Sequence, residues 1–263
     1  MLIDVVAATH RNGEGMDALI DALGSALTPA IANIGLLTIV AWVDASTNGW
    51  TAFRATEARI RPLDAARIGL LFGATGSALM FVPIELQPGI FVDGRAAPIL
   101  MAGVLGGPWA ALISTALAEA TRIGIGGAGV IGGVIYIALF GLVGALMHRR
   151  TASMRRISVS WVALAAFLTT LASMPVILTL PEAVQERALI TLWPALFCVN
   201  ILGASILAGM LSLDLTRRNL TAELRISRDA TQRVLDSLPM ECAVIGPTGE
   251  IEYVNAGWKA FHQ

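Results

Sequence analysis

Apolar runs of bilayer length recur along the chain, and they limit its fold more than any other feature. Runs at 23–43, 68–84, 130–147, 159–180 and 189–213 each come close to the length that crosses a hydrocarbon core as a helix. A backbone in lipid must satisfy its own N–H and C=O groups, which leaves helices or a closed barrel. Continuous runs of this length, without strict apolar–polar alternation, select helices. Composition agrees: 56% of the 263 residues are hydrophobic and only 14% are charged, against about 25% charged in a soluble domain. The expected fold class is an all-α polytopic membrane bundle.

Several function classes drop out on inspection. The net charge of −1 gives no footing for nucleic acid. Cys198 and Cys242 form no disulfide framework and read as free packing thiols. His10, His148 and His262 lie far apart, no CxxC or HExxH is present, and no metal or other cofactor is expected. There is no activated nucleophile, Walker-type loop or carboxylate pair with a base, so no catalytic residue is assigned. Asp4, Glu14 and Asp17 break up the first 20 residues, which is not a secretory signal.

One apolar stretch, 91–127, differs from the rest. Asp93 and Arg95 stand at its start, Gly106-Gly107-Pro108 interrupts it, and Glu119, Arg122 and Gly126-Gly127 close it. Ionisable groups are costly in hydrocarbon and mark functional positions. Charge fixes how the stretch is threaded. Basic residues gather on the cytoplasmic side, which places the 148–156 cluster and Arg217-Arg218 inside and the acidic 181–187 connector outside. A single crossing by 95–122 would put Arg54, Arg59, Arg61 and Arg67 outside; two short passes folded at Gly106-Gly107-Pro108 put them inside. Length agrees, since a straight helix over 95–122 would extend about 42 Å at 1.5 Å per residue. Glycines end one helix and Pro108 suits the first turn of the next. The expectation is a helical hairpin with arms of about 13 residues and about six to seven passes in all. It puts 1–22 outside and the C-terminus in the cytoplasm.

Beyond the last run the chain becomes polar. Residues 214–238 carry Leu220, Leu224, Ser227, Thr231, Val234 and Leu238 at 4-3 spacing. That reads either as the seam of a two-stranded coiled coil, implying a homodimer, or as a solvated helix. Residues 242–245 and 251–254 flank a Gly246-Pro247-Thr248-Gly249 turn, and Asn255 is a helix N-cap. Such a hairpin cannot build its own core, so an incomplete α/β domain is expected there. The expected divisions are 1–22, a transmembrane domain at 23–213, a signalling helix at 214–238 and a partial soluble domain at 239–263.

Residues 68–150 resemble the LytS/YhcK-type five-transmembrane sensor domain (5TM-5TMR_LYT) of bacterial receptors. The matching pattern is Asp93-x-Arg95, Pro98, Ala102-Gly103, Gly106-Gly107-Pro108, Arg122 and Gly126-Gly127. Thr121 stands where the family carries an aromatic. Residues 234–261 resemble the opening of a PAS domain, with Leu238-Pro239, Gly249 and Tyr253-Val254-Asn255; Gly246-Pro247 replaces the usual Asp after the first strand. The resemblance implies the input region of a sensor, most often of a two-component phosphorelay histidine kinase and less often of a diguanylate cyclase. A response regulator is the implied partner of a kinase.

Asp93, Arg95, Pro98, Glu119 and Arg122 are the ligand-sensing candidates, Pro98 through the family pattern. Asp93 and Arg95 read either as contacts for an anionic or polar ligand or as interfacial anchors. Two residues apart, they would not face each other on a helix. Glu119 and Arg122, at i and i+3, read as a structural ion pair or as part of a ligand site. Gly103, Gly106, Gly107, Pro108, Gly126 and Gly127 are the structural hairpin positions, and Asn33 and Asn200 are read as bonding between helices. The expected function is a membrane sensor in the bacterial inner membrane, in contact with lipid and an unidentified small molecule. A substrate-binding module of a membrane importer is the alternative, which the 214–263 tail disfavours.

Overall fold

The computed structural model describes residues 31–43, 61–87, 90–127, 129–151, 157–180, 182–238, 240 and 242–261. Contacts divide the chain into Met1–Asp214 and Leu215–Gln263. In chain order the helices are α1 (Ile31–Val43), α2 (Pro62–Leu79), α3 (Ala96–Ile125), α4 (Val130–Thr151), α5 (Val159–Ala172), α6 (Glu182–Arg187), α7 (Trp193–Asp236) and α8 (Ala256–Phe261). A 3₁₀ segment, Met174–Thr179, follows α5, and a π-helical turn, Ala188–Leu192, leads into α7. Four segments are long and apolar enough to cross a membrane: Ala96–Ile125, Val130–Arg150, Val159–Thr179 and Trp193–Asp236. The fold is an all-α polytopic membrane bundle.

The centre of that bundle is α3, which is two antiparallel arms, 96–106 and 108–125, and not one rod. Gly107 between them has φ 74° and ψ −163°, a backbone conformation that favours glycine. Contacts with the flanking helices establish the reversal. On α2, Gly76 faces Ile99 and Arg95 while Ser77 bonds Thr121; one end further on, Ile68 faces Gly106 and Gly69 faces Ile113. On α4, Gly133 meets Arg122, Gly144 meets Gly103, and His148 meets Gly107. Residues 95 and 122 therefore share one end of the bundle and Gly107 lies at the other. A Cβ at Gly107 would stand 2.9 Å from His148 Nε2, so space as well as φ requires glycine there. The α3 span is the enclosed one, with 78% of its most apolar window buried against 28–39% for the other three.

Close approach without side chains makes this packing possible. A Cβ on Gly103 would lie 2.5 Å from the Gly144 carbonyl carbon and 2.6 Å from Ala145 N. Small residues at helix contacts let backbones approach where lipid supplies no hydrophobic drive. A Cβ on Gly106 would meet side chains instead, the Ala110 Cβ first and then Ile68 Cγ2 at 3.1 Å. Gly126 and Gly127, at φ 75° and 94°, turn the chain out of the second arm; like Gly124 they have no neighbour within 4 Å of a built Cβ.

Other expectations need correction. The 68–84 run is not one span: its helix starts at Pro62, which suits the first helical position, with Asp64 in the first turn. It stops at Leu79, and Ile84 belongs to a strand. Strands β1 (Ile84–Gln87) and β2 (Ile90–Val92) form an antiparallel ribbon with Ile84 opposite Val92. The acidic connector contains helix α6. The second hairpin arm, 108–125, is longer than the expected 13 residues. Residues 1–22, the start of the first run, and Arg54, Arg59, Arg155 and Arg156 lie outside the described residues.

In the second unit, α7 continues without a break to Asp236. Strands β3 (Ala243–Ile245) and β4 (Ile251–Val254) pair antiparallel around Gly249, which has φ 89°. Asn255 is fully buried and joins these pieces. Its Oδ1 accepts from Trp258 N at 3.0 Å, the expected N-cap bond, and from Cys242 N at 2.9 Å. Its Nδ2 donates to Leu235 O and Met240 O.

Candidate functional site

The reversal of α3 creates a mouth where its two ends meet. Asp93 and Arg95 lie just before the first arm, in the turn that leaves β2, so helical spacing does not separate them. Asp93 Oδ1 accepts from Arg95 N at 3.2 Å and lies 3.3 Å from Arg95 Nε. The Nε–H is not aimed at the carboxylate: it is buried without a hydrogen-bond acceptor among the described residues. Both side chains are largely enclosed, 18% exposed for Arg95 and 11% for Asp93. Asn33 on α1 steadies the turn, accepting from Gly94 N at 3.0 Å and donating to Val82 O at 2.9 Å. Asn33 was expected to bond between helices; its partners lie instead in the non-helical turns at 82 and 94.

Arg122 arrives at the same mouth from the end of the second arm. It lies within electrostatic reach of both Arg95 and Asp93. Its Nη1 donates to Gly126 O at 3.0 Å, while its buried Nε has no acceptor among the described residues. Arg95 and Arg122 thus lie within electrostatic reach of one carboxylate, which pairs with Arg95, and each keeps an Nε–H without an acceptor among the described residues. Glu119 does not join them: it is half-buried, one turn back, and among the described residues it makes no ion pair with Arg122. Pro98 is buried in the first turn of the first arm and supplies shape only. Thr121 donates to Ser77 Oγ at 2.9 Å, tying the second arm to α2 beside the mouth.

Tyr136 is the functional neighbour that the sequence did not disclose. It is buried on α4 with its ring 5.9 Å from Arg95 Cζ, at the limit of a cation–π contact. Asn200 on α7 donates to its hydroxyl at 2.5 Å and to Thr170 Oγ1 on α5 at 2.8 Å. Asn200 was expected to bond between helices, and it bonds to two. The one available signal for Tyr136 was its isolation: the chain has two tyrosines, and this one lies mid-run in an apolar helix.

At the opposite end, His148 Nδ1 lies 3.2 Å from Val104 O and the ring covers the Gly107 turn. No group of His, Cys, Asp and Glu that could hold a metal occurs among the described residues. The arrangement is suited to holding an anionic group between two guanidiniums inside a helical bundle. A family model described as 5TM-5TMR_LYT, 5TMR of 5TMR-LYT, matches residues 51–213. No curated protein and no solved structure gives a match.

Proposed function

The chain belongs to the 5TM-5TMR_LYT family, the membrane sensor domain of LytS-type signal-transduction proteins, and from that premise we propose that its input is an anionic or polar small molecule bound at the Asp93–Arg95–Arg122 mouth. The observation that supports this is the pair of buried Nε–H groups, on Arg95 and Arg122, that have no acceptor among the described residues and lie within electrostatic reach of each other beside Asp93. Buried donors without partners cost about 1–3 kcal/mol each, and an anion offering two oxygens to the pair removes that cost. Binding shifts a receptor only if two packings hold the ligand with different affinity. The helix placed to register the difference is α7, which runs from the bundle into the second unit.

The output in this reading is a two-component histidine kinase in the bacterial inner membrane, with the C-terminus cytoplasmic. The hairpin and helix at 243–261 are the opening of a PAS domain, and the signal passes to a response regulator. Leu220, Leu224 and Val234 are exposed along α7 at coiled-coil spacing, which supports a parallel homodimer through 214–238. Glu119 and Pro98 shape the site without contacting the anion. The test is signalling by Arg95→Ala and Arg122→Ala in the receptor with its natural output. Both variants are expected to insert at wild-type levels and to lose the response. Unchanged signalling in both defeats the proposal.

A further inference from the structure

Asn200 is where the mouth touches α7. It is fully buried in the apolar part of that helix, where an amide is costly unless bonded. Thr170 donates its own proton to Ala166 O at 2.8 Å, so it can only accept from Asn200. That consumes one amide hydrogen, and the Tyr136 oxygen takes the other. Two groups are left over: Asn200 Oδ1, buried with no partner, and the Tyr136 hydroxyl proton, for which no acceptor occurs among the described residues. The same two side chains can therefore bond in a second way, with Tyr136 donating to Oδ1 after the amide turns over. A buried polar contact with two hydrogen-bonded arrangements is a discrete element that neighbouring charge can bias. The neighbouring charge is Arg95, over the Tyr136 ring.

We infer that Asn200 is the positioning residue through which the state of Arg95 reaches α7, by way of the Tyr136 hydroxyl. The inference rests on the reading of the mouth as the sensing site and α7 as the output helix. A ligand that engages Arg95 weakens the guanidinium's hold on the ring, and the ring's hydroxyl reports the change to the amide.

The test is hydrogen–deuterium exchange of the α7 segment 193–213 in the full chain, in lipid nanodiscs. It compares wild type, R95A, N200L and R95A/N200L. A second cycle with Y136F removes one oxygen and keeps the ring, so the test survives if N200L fails to fold. R95A is expected to change α7 exchange about fivefold in the wild-type background, the size of a coupling of roughly 1 kcal/mol. In the N200L and Y136F backgrounds the same change should fall below twofold. A residue with a merely structural role would move the baseline of every variant and leave the R95A effect intact. An R95A effect of equal size in all backgrounds overturns the inference and leaves the sensing site standing. An absent effect in every background also overturns it, while the sensing site is then decided by the signalling of R95A and R122A.

Discussion

Replacing Gly103 with alanine adds one methyl group where two helix backbones touch. The new Cβ would sit 2.5 Å from the Gly144 carbonyl carbon and 2.6 Å from Ala145 N. Ordinary carbon contacts begin near 3.4 Å, so the first arm of α3 and helix α4 must part by about 1 Å. Neither offending atom is a side-chain tip that can swing aside; both are helical backbone. Gaps of about 0.5–1 Å forfeit a quarter to a half of each contact's attraction, and in a bilayer helix association depends on such contacts. Overpacked cores lose about 1–3 kcal/mol, and Gly103→Ala is expected at the top of that range. Gly124→Ala is the matched control. It lies in the second arm with no neighbour within 4 Å of its built Cβ, and alanine in a helix is favoured over glycine by about 0.5–1 kcal/mol. The two identical chemical changes should therefore have opposite signs. Thermal unfolding of the purified chain in one detergent, followed by circular dichroism, reads both. A Gly103→Ala protein as stable as wild type, or a Gly124→Ala protein equally damaged, refutes the packing argument.

Two further outcomes follow from the geometry. Cysteines placed at Pro108 and Gly127 should react with a membrane-impermeant thiol reagent from opposite faces of the membrane, because one arm of the hairpin separates them; reaction from the same face would contradict the fold. In the second unit, the Asp236 carboxyl is held below its ordinary value by the Tyr253 hydroxyl and by Ala256 N, which donates to Oδ1 at 2.7 Å. A depressed carboxyl contributes stability that is present above the unfolded value and lost as pH falls through the folded one. Protection of the Ala256 amide, measured as exchange relative to its intrinsic rate at each pH, should accordingly fall as the pH drops through the range in which Asp236 is protonated, and Asp236→Asn should flatten that dependence; equal acid sensitivity in both proteins would remove Asp236 from the account.

The hairpin could be read from the chain because three independent signals agree at one place. Glycine ends a helix, proline starts one, and the positive-inside bias needs an even number of passes between Arg67 and His148. The meeting of Arg95 with Arg122 follows from that reversal and needs no further information. What stayed hidden is competition between partners. Helical spacing permits Glu119 to reach Arg122, yet Arg122 bonds instead to Gly126 O. Spacing shows which groups can meet but does not rank them. The β1–β2 ribbon was hidden because the apolar residues around Pro83 continue the preceding run, and only pairing with Ile90–Val92 separates them from it. Tyr136 carries no distinguishing local pattern, since with Phe140 four residues on it is an ordinary aromatic pair in an apolar helix until Arg95 is placed above it.

The single-residue fold at Gly107 has a mechanical consequence. The first arm, at 1.5 Å per residue, is a lever about 16 Å long with its fulcrum under the His148 ring. A change of about 5° in the angle between the arms therefore moves Arg95 relative to Arg122 by about 1.4 Å. That displacement is enough to separate a two-point grip on an anion from a one-point grip, with almost no movement at the opposite end. The distance between the two cations is set by an angle on the far side of the bundle, so a substitution at the pivot is a way to retune the grip without touching either arginine.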